Sequence, residues 1–287
     1  DQHLARFGYS VTYTDISLDA IQNACTAKTK VIFLEFPTNP YLKLIDLSAL
    51  AKFAKSKGII TIVDATFASP YNVNPLKYGI DLVTHSLTKY LNGHNDAIAG
   101  AVLGSKELIE KVKPVRNLLG SNPDPHLCYL ISRGIKTFAV RMKEHNRSSL
   151  AIAEFLEKHP KIERVWYPML ASHPQHALAK QYLVGGGGIV SFQVKGRDGS
   201  QDSGLKASTA LIEALRLPTL GASLGGGDGR GGSARVRHAG ARAAGVPPGR
   251  LGAQGAAGVR GQPEAPGEEA AHLPRRDHRG CSGQLHR

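Results

Sequence analysis

With 287 residues, 41% of them hydrophobic and 21% charged, the chain has the composition of a water-soluble protein with a substantial core. No apolar run approaches the roughly 18 to 20 residues of a transmembrane helix, and the opening DQHLARFGYS lacks a secretory signal pattern. We therefore expect a cytoplasmic protein of one large or two medium domains. Cys25, Cys128 and Cys281 are far apart, which argues against a disulfide framework or a cysteine-based metal site.

The formal net charge of +13 raises the possibility of nucleic-acid binding, but the charge is unevenly distributed. Residues 1–224 contain 18 Lys and 8 Arg, whereas residues 225–287 contain 10 Arg, no Lys and 16 of the 32 glycines. That last stretch has too few apolar side chains to offset the entropy of ordering it. We predict that residues 227–287 are a low-complexity, disordered tail, and that nucleic-acid binding is a weak alternative.

Strands and helices alternate in the first part of the chain. KVIFLEF (30–36), IITIVDATF (59–67) and GIDLVTHS (79–86) are apolar runs typical of buried strands, and AIAGAVLGS (97–105) is a candidate fourth strand. Between the first two, Asp46 is placed to cap a helix over 47–57 that ends before Gly58. This order predicts an α/β domain with a mainly parallel sheet over residues 1–142.

From Pro125 onward the pattern becomes helical, with HLCYLISRGIKTFAVRMKEHN followed by SSLAIAEFLEKHP. A strand IERVWYP, a helix PQHALAKQYL and a strand IVSFQVKG come next, and we interpret the Gly185–Gly188 run before the last strand as a flexible turn. These elements predict a smaller α+β domain over residues 143–226.

Polar residues follow three of the predicted strands: Asn39, then Asp64, then Ser86 with Thr88 and Lys89. Ligands of parallel sheets gather at the carboxyl ends of the strands, and a carboxylate that ends an apolar strand needs a partner. A lysine for a carbonyl, hydroxyls for a phosphate and an acid for a cationic ring nitrogen together match pyridoxal phosphate (PLP).

Each of these residues also has a simpler interpretation. Lys89 alone is consistent with a surface lysine, Asp64 with a turn or cap, and the SLT stretch with helix capping. His85, His94 and Asp96 have loosely metal-like spacing but lack a histidine pair four residues apart on a helix, so we predict no metal site. From spacing alone, the PLP pocket remains one of several interpretations.

Longer segments carry a resemblance to a known family. FPTNPYLKLIDL, VDATFASPYNVNPLKYGIDLVTHSLTKYLNGHNDAIAGAV, RGIKTFAVRMKEHN, SHPQHALAK and LPTLGASLGG resemble the Cys/Met-metabolism PLP-dependent enzymes over about residues 4–226. The resemblance implies the type I aminotransferase-like fold, PLP as cofactor, amino-acid substrates and a homotetramer of two catalytic dimers.

By position, the resemblance implies that Lys89 is the Schiff-base lysine, that Asp64 is the partner of the pyridinium nitrogen, and that Ser86 and Thr88 bind the phosphate. It places Asn39 and Ser223 near the substrate carboxylate. The cystathionine γ-synthase branch is the most similar, which implies γ-replacement on an activated homoserine by cysteine. Cystathionine γ- or β-lyase, methionine γ-lyase and homoserine-ester sulfhydrylase remain alternatives, as does an inactive basic fragment that binds nucleic acid.

The chain departs from the family pattern at both ends. The family's N-terminal portion, which completes the cofactor cage, has no counterpart here. After SLGG the family continues with Val-Glu-Thr-Val-Val, whereas this chain reads GDGRGG, which is what GC-rich codons for the family sequence encode when they are read two bases later. We therefore hypothesise that residues from about 227 onward are frameshifted, and an uninterrupted reading frame at the locus would contradict this.

Overall fold

The computed structural model describes residues 2–198, 200–215, 223–226 and 257–260 of the chain. Its main sheet has six strands in the order β1-β8-β2-β3-β4-β5. The strands are β1 (Ser10–Tyr13), β2 (Thr29–Glu35), β3 (Ile60–Asp64), β4 (Leu82–Ser86), β5 (Gly100–Gly104) and β8 (Ala257–Arg260).

Four of these six strands run in one direction. β2, β3 and β4 pair in parallel, and β1 shares their direction because β8 is antiparallel to both β1 and β2. β5 is an antiparallel edge strand on β4. The predicted α/β class with a mainly parallel sheet is confirmed.

Helices and short turns connect the strands. They are α1 (Gln2–Ala5), α2 (Leu18–Ala24), α3 (Leu47–Ser56), α4 (Ser69–Asn72), a 3-10 turn (Pro75–Tyr78) and α5 (Lys106–Leu118). In α3, the side chain of Asp46 accepts a hydrogen bond from Ala49 N, and Gly58 follows the helix with φ +64°. The predicted start of this helix is confirmed, and its end at Ser56 lies one residue before the predicted 57.

The helical second half divides differently from the sequence prediction. The break lies at residues 136–137, between α6 (Pro125–Ile135) and α7 (Phe138–Lys158), rather than near residue 147. Just before this break, α6 packs closely on the loop after β4, because a Cβ on Gly134 would lie 2.3 Å from the backbone O of Asn92.

The remaining elements form a small second layer around α7. β6 (Ile162–Trp166) and β7 (Ser191–Val194) pair antiparallel, and α9 (Gln201–Ala214) contacts β7. α8 (His176–Tyr182) packs instead on the main core, through Ala179 and Tyr182. The predicted domain boundary at 142/143 falls inside α7, so that one helix belongs to both predicted domains. The division itself stays a prediction.

Three apolar clusters hold the described residues together. The largest packs α3 against β2 and β3 through fully buried Leu34, Leu47, Leu50 and Val63. A second joins α7 to β6 around Ala153 and Tyr167, and a third joins Tyr90, Met142 and Leu224. No helix among the described residues is long and apolar enough to cross a membrane.

Of the predicted tail at 227–287, the structure describes only 257–260, as strand β8. The rest of the tail lies outside the described residues. Its predicted disorder and the frameshift hypothesis therefore stay predictions.

Candidate active site

The carboxyl ends of β2, β3 and β4 lie side by side. In the parallel registers, Glu35 is opposite Asp64 and Asp64 is opposite Thr84. Backbone hydrogen bonds continue the alignment past the strands, from Phe36 N to Asp64 O and from Ala65 N to Thr84 O. The strand ends that carry or precede Asn39, Asp64, Ser86, Thr88 and Lys89 therefore share one edge of the sheet.

Thr66 links Asp64 to Ser86. Its backbone N donates to Asp64 Oδ1 at 2.8 Å, and its hydroxyl oxygen accepts a hydrogen bond from Ser86 N, also at 2.8 Å. Asp64 and Ser86 are both half-buried, so each residue keeps part of its surface open to solvent. The carboxylate and the start of the Lys89 loop are thus held at a set spacing.

Lys89 and Ser223 are in direct contact, although they are far apart in the chain. Lys89 Nζ donates to Ser223 Oγ at 2.8 Å. Close backbone packing supports this contact, because a Cβ on Gly225 would lie 2.6 Å from Tyr90 N and 2.7 Å from the carbonyl carbon of Lys89. Gly225 has φ +88°, so only glycine makes this approach without strain.

Thr88 and Asn39, the other two predicted site residues, hydrogen-bond to their own loops rather than to another site residue. The hydroxyl of Thr88 donates to Ala99 O at 3.3 Å and accepts from Ala99 N at 3.0 Å, so it helps to close the loop onto β5. To donate to a phosphate, its proton would have to turn away from Ala99. Asn39 lies between the cis peptides Phe36–Pro37 and Asn39–Pro40, and its backbone N donates to Glu35 Oε2 at 3.0 Å.

His85 is a buried neighbour of this edge that sequence reasoning weighed only as a metal ligand. Burial lowers the pKa of His85, and the charge of Asp64 and a hydrogen bond with the Ala65 backbone oppose that shift. The ring is therefore neutral near pH 7, and its Nδ1 has no hydrogen-bond partner among the described residues. Among all the residues that the structure describes, no three His, Cys, Asp or Glu side chains are grouped to hold a metal ion.

Tyr90 supports the Lys89 loop from behind and is not singled out by any sequence motif. Its side chain is buried, its hydroxyl oxygen accepts from Gly188 N at 3.1 Å, and its ring contacts His145 edge-on. Burial raises the pKa of the Tyr90 phenol, which stays neutral. Burial and the charge of Arg141 lower the pKa of His145.

The Gly185–Gly188 run is packed tightly, so its interpretation as a flexible turn is wrong. Gly185 to Gly187 are buried, and a Cβ at any of the four positions would lie within 3 Å of a neighbouring atom. Those neighbours are Asn146, Tyr167, the Phe67 carbonyl and Tyr90. The run lets two layers of the fold approach each other. Its own sequence does not indicate this packing, because the residues that it contacts belong to other elements.

The family model described as Cys/Met metabolism PLP-dependent enzyme matches residues 1–229. The chain belongs to this family. The match covers every predicted site residue and every described element except β8.

Curated relatives in the Cys/Met metabolism family carry several activities in their names. L-methionine gamma-lyase of Fusobacterium nucleatum subsp. polymorphum is 45% identical over 226 residues, which are 77% of this chain and 55% of that protein. Cystathionine gamma-lyase of Dictyostelium discoideum is 45% identical over 224 residues, with 77% and 56% covered. Probable cystathionine gamma-synthase of Herpetosiphon aurantiacus is 44% identical over 216 residues, with 75% and 66% covered.

A solved structure shares the fold. Cystathionine gamma-lyase from Lactobacillus plantarum, complexed with L-serine, superposes with a TM-score of 0.67 at 37% identity, over 73% of this chain and 53% of that one. The chain thus spans little more than half the length of most relatives it matches. The names of these relatives include both lyases and a synthase.

The site residues fit the cofactor on which the Cys/Met metabolism family depends. PLP has an aldehyde, a phosphate and a ring nitrogen, and this sheet edge offers an amine at Lys89, a hydroxyl at Ser86 and a carboxylate at Asp64. The donor set therefore has the right chemistry in the right part of the fold.

Proposed function

We propose that the protein catalyses PLP-dependent chemistry at the γ-carbon of a sulfur amino acid or an activated homoserine. The observation that carries this proposal is the Lys89–Ser223 contact at the sheet edge that also presents Asp64. It joins an amine that holds the cofactor to a hydroxyl on a segment from the other end of the described fold.

In this proposal, four side chains hold the cofactor. The Lys89 amine binds its aldehyde, the Asp64 carboxylate pairs with its ring nitrogen, and the Ser86 and Thr88 hydroxyls bind its phosphate. When bound, PLP supplies an electron sink for the negative charge that develops on the substrate's α-carbon. Asp64 strengthens that effect by keeping the ring nitrogen protonated.

The remaining roles concern the substrate. The Lys89 amine takes the proton from the substrate's α-carbon and returns it elsewhere on the carbon chain, as a positioned general base. Ser223 Oγ accepts a hydrogen bond from Lys89 Nζ, which supports a role in directing the amine. Its place beside the substrate carboxylate is part of the proposal and comes from the family resemblance. We assign the side-chain amide of Asn39, which follows β2, to the same carboxylate, again from the family resemblance.

Two outcomes at the γ-carbon follow from the same machinery. In γ-replacement, the leaving group departs from an activated homoserine, a cysteine thiol forms the new C–S bond, and cystathionine results. In γ-elimination, the leaving group departs and water releases ammonia and a 2-oxo acid. The GHNDAIAG motif favours the first outcome, and the names of two relatives at 45% identity favour the second.

Product analysis tests the proposal. The protein is loaded with PLP and incubated with O-acetyl- or O-succinylhomoserine, with and without cysteine, and separately with cystathionine or methionine. Cystathionine formed only with cysteine supports γ-replacement, and a 2-oxo acid formed from cystathionine or methionine supports γ-elimination. If no substrate is converted although PLP is bound at Lys89, the γ-carbon assignment is wrong.

We also propose a cytoplasmic homo-oligomer, the tetramer that the family resemblance implies. Large apolar side chains on and just after α5 support an oligomer, since Val115, Leu118 and Leu119 are 54%, 86% and 72% exposed. Light scattering after size exclusion tests it, and a monomer at micromolar concentration would contradict it.

A further inference from the structure

The backbone that follows Lys89 is held by one arginine from α7. Arg141 Nη1 donates to Tyr90 O at 2.7 Å, and Nη2 donates to Gly134 O at 3.0 Å. Longer contacts of 3.4 Å reach Leu91 O and Asn92 O. One planar guanidinium thus contacts three successive carbonyls that begin one residue after Lys89.

The terminal nitrogens of Arg141 hydrogen-bond to backbone carbonyls rather than to a carboxylate. Among the described residues, the four ion pairs do not include Arg141. Its Nε donates to Thr137 Oγ1 at 3.1 Å, which fixes the plane of the guanidinium from its own helix. Five donors in a rigid fork suit this arrangement, and a lysine cannot reproduce it.

Gly93 leaves open the space that the guanidinium occupies. A Cβ on Gly93 would lie 2.1 Å from Arg141 Nη1, so any side chain there would displace it. Gly93 has φ +71°, and its N donates to Lys89 O at 2.8 Å, which closes the turn. Gly93 therefore contacts both the Lys89 backbone and the Arg141 guanidinium.

Neighbouring residues of α7 contact the same region. Met142 is fully buried against Tyr90 and Leu224, and the His145 ring packs on Tyr90. The Lys89 side chain has four rotatable bonds, each with a few staggered positions. The atoms that Nζ can reach in these rotamers depend on where the Lys89 backbone lies. The contacts of α7 fix that backbone one residue beyond Lys89, and Ser223 contacts the side chain at its tip.

We propose that Arg141 is a positioning residue for Lys89. It holds the loop carbonyls so that the lysine amine meets the cofactor aldehyde, and later the substrate's α-carbon, in a reactive geometry. This inference rests on the proposed role of Lys89 and names a residue that sets its position from outside the cofactor site.

The test compares wild type, R141Q, R141K and R147Q. R147Q is the matched control, because Arg147 lies on the same helix, is exposed and pairs with Glu144 at 2.6 Å. Each protein is mixed with PLP, quenched with borohydride over a time course and digested, and mass spectrometry measures the PLP fixed on the Lys89 peptide. Circular dichroism checks the fold.

We expect R141Q to fix PLP on Lys89 about 10- to 100-fold more slowly than wild type, because displacement of a reacting group by about 1 Å costs that much. R141K should recover part of the rate, R147Q should match wild type, and turnover by R141Q should fall in kcat with little change in KM. Equal rates in wild type, R141Q and R141K would overturn the inference.

Two further results are informative. If R141Q does not fold, R141K decides, and a wild-type rate in R141K would also overturn the inference. If the wild type itself fixes PLP on another lysine, the proposed role of Lys89 is wrong, and the inference for Arg141 fails with it.

Discussion

Lys89 Nζ donates a hydrogen bond to Ser223 Oγ at 2.8 Å across 134 residues of chain. The contact joins the loop after β4 to a segment that packs on that loop through Gly225 and Leu224. Neither residue is distinctive alone. Their contact, beside the carboxylate of Asp64, makes the sheet edge a candidate site for amine chemistry.

Substitution of Lys89 by alanine should abolish covalent attachment of PLP, because no other amine at this edge is proposed to bind the aldehyde. Loss of the general base should also lower turnover by about 10²- to 10⁴-fold. Borohydride reduction followed by peptide mass spectrometry measures the attachment. Lys52→Ala is the control, since Lys52 is exposed on α3, and equal labelling of K89A and K52A would contradict the role of Lys89.

Asp64→Asn should weaken PLP binding without unfolding the protein. Asparagine keeps an oxygen that can accept from Thr66 N but loses the charge that pairs with the ring nitrogen. A hydrogen bond to a charged group contributes about 1.5–3 kcal/mol, which corresponds to roughly 10- to 150-fold in affinity. Titration with PLP, followed by absorbance, measures this loss.

Asp81→Asn is the control for Asp64→Asn, because it removes a carboxylate that supports the fold rather than the site. The Asp81 carboxylate accepts from both the N and the hydroxyl of Thr61, at 2.8 and 2.7 Å, at the opposite end of the same strands. We expect D81N to lower the free energy of unfolding and to leave the affinity for PLP nearly unchanged. The role assigned to Asp64 would be untenable if D64N and D81N showed the same pattern.

Gly187→Ala should destabilise the protein more than Gly58→Ala. Both glycines have positive φ, +80° and +64°, so each alanine introduces backbone strain of about 1–2 kcal/mol. At Gly187 the new Cβ would also lie 2.8 Å from the Phe67 carbonyl oxygen, whereas at Gly58 nothing lies within 4 Å. Overpacking should add about 1–3 kcal/mol, measured by denaturant unfolding. Equal losses would mean that the glycine run is not tightly packed in solution.

Asp46 should make the stability of the protein depend on pH at the acid end. The Tyr182 hydroxyl, which donates at 2.5 Å, and Ala49 N lower the pKa of Asp46 below its ordinary 3.8. The stabilisation is therefore complete above about pH 4 and is lost as the pH falls through the lowered folded-state pKa.

Two substitutions separate the charge of Asp46 from its capping role. D46N keeps a capping side chain but should flatten the acid limb of a stability curve measured by thermal unfolding. D46A should also lose about 1 kcal/mol of cap stabilisation at neutral pH. An unchanged acid limb in D46N would show that Asp46 does not titrate in the way we expect.

The strands and the capped helix of the first half could be predicted because their signals are local. Apolar runs mark β2, β3 and β4, and Asp46 and Gly58 mark the ends of α3. The register that aligns Asp64 with Thr84 follows from parallel pairing, so the sequence also indicated which edge carries the site.

Features that depend on distant contacts were not predictable in this way. Three of the carbonyls that Arg141 contacts lie 49 to 51 residues earlier, and a carbonyl belongs to every residue type, so no sequence pattern marks them. The glycine run looked flexible because its packing partners, such as Asn146 and Tyr167, belong to other elements. Ser223 entered only through the family resemblance.

The long separation of Lys89 from Ser223 has a consequence for biosynthesis. At about 5–20 residues per second, roughly 7 to 27 s pass between the synthesis of these two residues. All of β2 to β5 has been made by then, whereas the hydroxyl that contacts the lysine amine has not. On the ribosome, the strands of the sheet edge are thus synthesised well before Ser223, the residue that contacts the Lys89 amine. The site is therefore completed late in the synthesis of each chain.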